Sequence, residues 1–386
     1  MEISRLVEKI QPSGIRAFFD LVLGMKEVIS LGVGEPDFVT PWQIREAGIY
    51  SLEQGFTSYT SNKGLYKLRL GIHRYLKNKF GLEYCPEEEI LVTVGVSEGL
   101  DLLLRAIINP GDKILIPVPS YVSYGPVTEL AGGIPVYIDT SKNGFKITPE
   151  LLKRHIDKKV KGIVLNYPTN PTGVSYRGKE LQELNKVLLK HKILCISDEV
   201  YGDLTYDFSH TAFPTLPGAK KQTVYFNGFS KSFAMTGWRV GYACGPKEII
   251  AAMTKIHQYT IMCVPITSQM AAAEALVSGK RSVEQMKREY DRRRRFMAAE
   301  LNSLGLKCSL PQGAFYLFPS IKSAGLSSMD FSRKLLEEEK VAVVPGTAFG
   351  SCCEGYIRIS YASSLENLKE ALVRIKRFLE KRTPRV

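Results

Sequence analysis

The sequence predicts an α/β protein, with a mostly parallel central sheet in a larger unit and a smaller α+β unit after it. Three observations carry this. Short runs rich in β-branched and apolar residues recur between about residues 90 and 245, with longer helix-like stretches between many of them. These runs lack polar alternation, as strands buried on both faces of a parallel sheet do. Past residue 283 the pattern changes to one long amphipathic helix, followed by further strand and helix signals as far as Phe378.

In chain order, residues 1–10 alternate charged and apolar side chains and build no signal-peptide core. Strand-like runs follow at 90–94, 113–117, 135–138, 162–166, 193–197, 223–227 and 239–243. The first leads into Thr93-Val94-Gly95-Val96-Ser97-Glu98-Gly99, which opens a helix-like run from Leu100 to Ile108 with Ser97 in the N-cap place. Backbone N–H groups at such a terminus make an anion seat. Pro117-Val118-Pro119-Ser120-Tyr121 and Asn166-Tyr167-Pro168-Thr169-Asn170-Pro171-Thr172-Gly173 each leave a strand; in the second, dense prolines favour a cis X-Pro bond. Asp198 ends the run at 193–197, where ligands of open α/β sheets bind. Between 283 and 304, Val283, Met286, Tyr290, Met297, Leu301 and Leu304 step by three and four before Gly305 stops the helix. Arg292 to Arg295 lie within it and are expected on a solvated face, with stems along apolar surface. Arg358 interrupts a strand pattern at Tyr356-Ile357-Arg358-Ile359-Ser360.

Composition narrows the function. The 386 residues favour two or three domains, and 44% hydrophobic with 24% charged is ordinary for a globular chain. No run approaches the length of a membrane span, so a cytoplasmic protein is expected. Seven cysteines without a Cys-x-x-Cys pair fit reduced thiols, and five scattered histidines argue against a metal site. The net charge of +13 is spread through helical stretches without aromatic-rich basic loops, so nucleic acid is not the expected partner; steering of anionic substrates is the milder consequence. The 93–99 turn has neither Gly-x-Gly-x-x-Gly spacing nor a Walker lysine, which disfavours nucleotide binding and a dehydrogenase.

The most informative segment is Ser230-Lys231-Ser232-Phe233-Ala234-Met235-Thr236-Gly237-Trp238-Arg239-Val240-Gly241. It sets a lysine nucleophile beside a hydroxyl and a guanidinium, which suit a Schiff base with an aldehyde cofactor and a seat for its phosphate. Pyridoxal phosphate has both groups. The segment resembles the cofactor-lysine signature of the class I and II aminotransferases, which are fold-type I pyridoxal-phosphate enzymes. At least five separated motifs, from Gly32-Val33-Gly34-Glu35-Pro36-Asp37-Phe38 to the Arg358 strand, occur in that family's order.

The resemblance implies a catalytic Lys231, Asp198 against the pyridine nitrogen, and Tyr201 and Asn170 at the cofactor's O3′. It further implies Tyr121 stacked on the ring, and Val96, Ser97, Ser230 and Arg239 around the phosphate. Tyr59 would reach the phosphate from the partner subunit of a homodimer with shared active sites. Arg358, with Asn170 and the backbone of Gly34, would bind the substrate α-carboxylate. It also implies an amino-terminal arm and part of a small domain over 1–44, a large cofactor-binding domain over 45–282, and a linking helix with the rest of the small domain over 283–386. The expected reaction is ping-pong transfer of an amino group from an L-α-amino acid to a 2-oxo acid, 2-oxoglutarate being the expected acceptor; a lyase of the same fold is the alternative. Ser97 stands where some aspartate-preferring relatives place a lysine, and the segments 255–259 and 319–323 look more like relatives that handle aromatic or diaminopimelate-type substrates, so the donor stays open.

Overall fold

The computed structural model describes residues 2–12, 25 and 27–382. Twelve strands lie among them. They are β1 (Ile29–Ser30), β2 (Ile90–Thr93), β3 (Lys113–Val118), β4 (Ile134–Asp139), β5 (Val160–Asn166), β6 (Leu194–Asp198), β7 (Thr223–Gly228), β8 (Gly241–Cys244), β9 (Tyr316–Leu317), β10 (Val341–Ala342), β11 (Val344–Pro345) and β12 (Ile357–Ser360). Seven form the central sheet in the order β2-β8-β7-β6-β5-β3-β4, parallel except where β8 runs antiparallel to both neighbours. This is the α/β architecture the sequence predicts, with strand bounds within a few residues of those expected.

Two departures have clear causes. β4 is the sheet's edge, and only Ile138 in it is buried, so burial on both faces does not extend to that strand. Ser97 is not an N-cap: the helix Gly95–Ile107 starts two residues earlier, and the Glu98 carboxylate accepts the Val94 N–H at 2.5 Å in the capping role. Gly95 has φ +70, which lets the chain turn from β2 directly into the helix. Cis bonds precede Pro119, Pro168 and Pro171.

A second body of structure pairs β1 with β10 in parallel and sets β11, β12 and β9 in an antiparallel sheet. Its core joins Phe315, Tyr316, Phe331, Ile359 and Phe378 to Leu31 and Tyr201, so segments distant in sequence share one apolar cluster. Full burial of each such side chain contributes roughly 1.5–3 kcal/mol. The long helix Lys280–Ser303 supplies Met286, Tyr290, Met297 and Leu301 to it, matching the predicted stripe. No helix among the described residues is long and apolar enough to cross a membrane.

The arginine run departs from the solvated face expected of it. Arg292 is exposed, but Arg294 is fully buried over the Tyr206 ring, paired with Asp207 and Asp291. Arg293, also buried, pairs with Glu289 and reaches Asp37 at 2.7 Å, tying the helix to the segment that follows β1. Helical periodicity puts consecutive residues about 100° apart, so a run of four cannot share one face. Arg294→Ala should lower stability by about 2–4 kcal/mol through lost packing and unpaired carboxylates, whereas Arg292→Ala should stay within about 0.5 kcal/mol of the parent. Urea midpoints of the two variants check this.

Candidate active site

The cleft forms beyond the carboxyl ends of β5, β6 and β7, where Asn166 and Asp198 sit level in register. Lys231 lies just past β7, in the short turn of helix Phe229–Ser232. Its Nζ donates to the Gly34 carbonyl at 2.6 Å and faces the rings of Tyr201 and Phe315 at 5.8 and 5.9 Å. Burial pushes this ammonium down to about 8; Glu35 opposes the shift, while Arg358 and Arg239 add to it. An amine so placed is uncharged often enough near neutral pH to act as a nucleophile.

The chain closes around it through small residues and left-handed turns. A Cβ on Gly241 would lie 2.7 Å from the Val96 nitrogen, and one on Gly228 would lie 3.4 Å from Val96 Cγ2, so the starts of β8 and of the Lys231 turn press against the helix terminus. Ala234 and Arg239 have φ of +52 and +54. Non-glycine residues take this region at a cost of about 1 kcal/mol or more, and such outliers concentrate at functional sites. The Arg239 guanidinium donates to the Thr236 carbonyl at 3.1 Å and overhangs Gly95, where a Cβ would sit 2.6 Å from its NH2 nitrogen. Arg239 and the free N–H groups of Gly95, Val96 and Ser97 thus make one anion-attracting corner, with Ser230 next to Lys231.

Asp198 is buried and accepts the Tyr124 hydroxyl at 2.7 Å. Burial raises its carboxyl to about 6, against the pull of Tyr124. Tyr121, half-buried, meets Tyr124 edge to face at 5.7 Å. Behind Asp198, the buried Glu199 accepts from Ser197, Tyr167, the Phe213 N–H and His210, the last at 2.6 Å. This holds the end of β6 firmly.

On the far wall Arg358, 2% exposed, donates to Asn170 Oδ1 at 2.8 Å and to the Gly32 carbonyl at 2.5 Å. Tyr316 and Phe349 cover the guanidinium at 4.6 and 4.9 Å, and its buried Nε has no partner. Burial lowers its pKa, and no carboxylate pairs with it among its described partners. A charge in this position calls for an anion. Tyr201 and Tyr316 share a hydroxyl hydrogen bond of 2.7 Å, and Gly34 passes so close that a Cβ there would meet the Tyr316 hydroxyl at 2.7 Å.

Lys231, Asp198, Tyr201, Asn170, Tyr121, Gly34, Arg358 and the Val96–Ser97–Ser230–Arg239 corner therefore gather in one cleft. Tyr59 does not: it is 81% exposed and hydrogen-bonds to none of them. Sequence reasoning missed Tyr124, Tyr316, Phe349 and the Glu199–His210 pair. Tyr124 stands three residues past Tyr121 and Glu199 directly after Asp198, both beside singled-out positions; no motif marked the others.

An amine, a strand-end acid and two anion seats around one cleft define an enzyme that handles an anionic aldehyde cofactor and a carboxylate substrate. The residues fit pyridoxal phosphate: a buried acid that has no salt bridge among the described residues suits a ring cation, and the glycine-walled corner under Arg239 suits a phosphate. The chain belongs to the class I and II aminotransferases, whose family model matches residues 26–375, and is thus a pyridoxal-phosphate-dependent aminotransferase. It is 54% identical over 382 residues, covering 99% of both chains, to a putative aminotransferase, YugH, of Bacillus subtilis. It is 44% identical over 386 residues, again covering 99% of both, to an aspartate aminotransferase of Pyrococcus abyssi. The crystal structure of an aromatic aminotransferase from Pyrococcus horikoshii superposes with a TM-score of 0.90 at 42% identity, covering 95% of this chain and 99% of that one.

The Gly34–Tyr316 contact makes a specific prediction. Gly34→Ala should cost about 1–3 kcal/mol by forcing the Tyr316 hydroxyl aside, and much less in a Tyr316→Phe background, where the nearest ring carbon would lie 3.7 Å away. A double-mutant cycle on thermal stability measures the coupling; additive effects would dismiss the clash.

Proposed function

We propose that the cleft transfers an amino group from an L-α-amino acid to a 2-oxo acid in two half-reactions, with Lys231 as the covalent anchor of the cofactor and the proton carrier. The observation that carries this is the Lys231 amine, brought down to about 8, within one cleft with the buried Asp198 and the carboxylate-free Arg358. Bound pyridoxal phosphate supplies an aldehyde for covalent attachment and a ring that withdraws electrons from the substrate Cα. Asp198 would hold the proton on the pyridine nitrogen, Tyr124 fixes the orientation of that acid by its hydrogen bond, and Tyr201 and Asn170 would serve O3′. Ser230, Arg239 and the helix terminus at Val96 and Ser97 would hold the phosphate, and Tyr121 would stack on the ring. Arg358 takes the α-carboxylate in a bidentate grip alongside Asn170 and the Gly34 backbone. Freed by the incoming substrate amine, Lys231 would be the group that takes the proton from Cα and returns it at the cofactor's C4′.

A homodimer completes this reading. Trp42, Ile49, Phe56, Tyr59, Tyr259 and Met262 are exposed apolar side chains, and Asn62 ties the Tyr59 turn to Met262 by a 2.8 Å hydrogen bond to its carbonyl. Large apolar side chains left exposed in this way suit a protein–protein contact. Tyr59 would cross from this face to the partner's phosphate corner. Lys231→Ala and Tyr59→Ala proteins, each defective alone, should then form mixed dimers with one intact site. Unfolding and refolding them together should recover activity toward about a quarter of the parent's, as random pairing places half of the subunits in mixed dimers with one good site each; no recovery would place Tyr59 outside the site.

Incubated with a donor and no acceptor, the enzyme should release one equivalent of 2-oxo acid per site, and a panel of aspartate, aromatic and diaminopimelate-type donors ranks the substrates. Arg358→Ala should lose about 2–5 kcal/mol, roughly 30-fold to several-thousand-fold in kcat/KM, for every α-amino acid. Carboxylate-free amines should be far less affected. Equal losses for both would leave Arg358 a structural residue.

A further inference from the structure

One pair of nucleophiles has no part in this chemistry. Cys352 and Cys353 are neighbours in the short 3-10 turn Ser351–Cys353, both free thiols, with their sulfurs 3.6 Å apart. Cys353 is fully buried beside Phe318, Val344 and Phe349, whereas Cys352 is half-buried and borders Gly350. The Cys353 thiol, directed at Cys352, holds the Cys352 thiol below its ordinary value, while burial and the Asp139 carboxylate oppose the shift. The same contact, with burial, drives Cys353 the other way. The first thiolate therefore forms on the more accessible sulfur.

The turn is fastened to the carboxylate wall. Phe349, the residue before Gly350, covers the Arg358 guanidinium, and its carbonyl accepts the Ser120 N–H at 3.2 Å, next to Tyr121. Cys353 donates its N–H to the Gly350 carbonyl at 3.0 Å and accepts the Tyr356 N–H at 3.2 Å, two residues before Arg358. A Cβ on Gly346 would collide with the Cys353 carbonyl, so the turn has little room to shift without moving its neighbours.

We propose that Cys352 and Cys353 are a redox-active dithiol that low-molecular-weight disulfides of the glutathione class convert to a vicinal disulfide, displacing Phe349 from Arg358 and weakening the hold on an amino-acid carboxylate. The Cys352 thiolate attacks one sulfur of the small disulfide, forming a mixed disulfide and expelling one small thiolate. Cys353 then attacks the Cys352 sulfur, and the second small thiolate leaves. Two protein thiols are oxidised, one small disulfide is reduced to two thiols, and the two cysteine protons go to the released thiolates. Adjacent Cα atoms are about 3.8 Å apart, short of the roughly 4.4–6.8 Å that unstrained disulfides span. The bond is thus readily reversed by excess small thiol, as a sensor requires. The functional consequence rests on Arg358 being the carboxylate anchor.

The test exposes the holoenzyme to glutathione disulfide at graded ratios to glutathione, alkylates the remaining thiols and maps the peptides. The expected product is an unalkylated Cys352–Cys353 peptide lighter by two hydrogens, together with a rise of roughly threefold or more in KM for amino acids, little change in kcat, and reversal by dithiothreitol. Cys352→Ser should keep the parent's activity and lose the response. Cys85, Cys263 and Cys308, each without a neighbouring thiol, serve as internal controls. Alkylation of both cysteines after treatment, a stable mixed disulfide on Cys352 alone, or ring formation with unchanged KM would each overturn the proposal. If Arg358→Ala leaves amino-acid KM unaltered while the ring still forms, the fault lies in the anchor reading and not in the thiol chemistry.

Discussion

Among the described residues Arg358 is sealed between two aromatic rings and bonds only neutral oxygens, and much of the cleft is arranged around that unbalanced charge. A buried guanidinium without an anion is costly, and the fold tolerates it because four segments converge on it. Asn170 comes from the turn after β5, Gly32 from the strap after β1, Tyr316 from β9 and Phe349 from the turn after β11. Those segments also fix the other side of the cleft. The strap continues to Gly34, whose carbonyl holds the Lys231 amine and whose missing side chain admits the Tyr316 hydroxyl.

Lys231 and Asp198 repeat the theme with opposite signs. Burial drives the lysine down and the aspartate up, so the charged form of each is less favoured than it would be in water. An incoming cofactor with an aldehyde at one end, a basic nitrogen at the other and a phosphate for the Arg239 corner would relieve several of these costs together. Preorganisation of this kind has to be carried by a rigid frame, and Glu199, with its four hydrogen bonds just behind Asp198, supplies one part of it.

Much of this was legible in advance. The seven central strands were readable because each is a short, largely apolar run with no polar alternation, most of them β-branched, and the positions of Asp198 at a strand end and Asn170 in the turn past one follow from where those runs stop. The stripe from Met286 to Leu301 was readable because helical period alone decides which face is apolar. Ser97 misled because a serine before an apolar run is a common cap, while Gly95 allowed the helix to begin earlier. The arginine run misled because composition does not reveal partners: Asp207 and Asp37 reach Arg294 and Arg293 from far along the chain.

By itself the sequence determined which residues are candidates to carry chemistry and in what order: a lysine suited to nucleophilic attack, a strand-end acid, a guanidinium in a strand, and glycines where the chain must turn tightly. Local period and residue type suffice for that, since both act within a few positions. Only the tertiary structure decided which of them meet. The lowered lysine, the raised aspartate, the aromatic cover over Arg358, the Tyr201–Tyr316 hydrogen bond and the setting of the two adjacent thiols all arise from burial and contact between segments up to hundreds of residues apart. Desolvation and packing belong to the folded assembly of segments, and no single stretch of chain contains them.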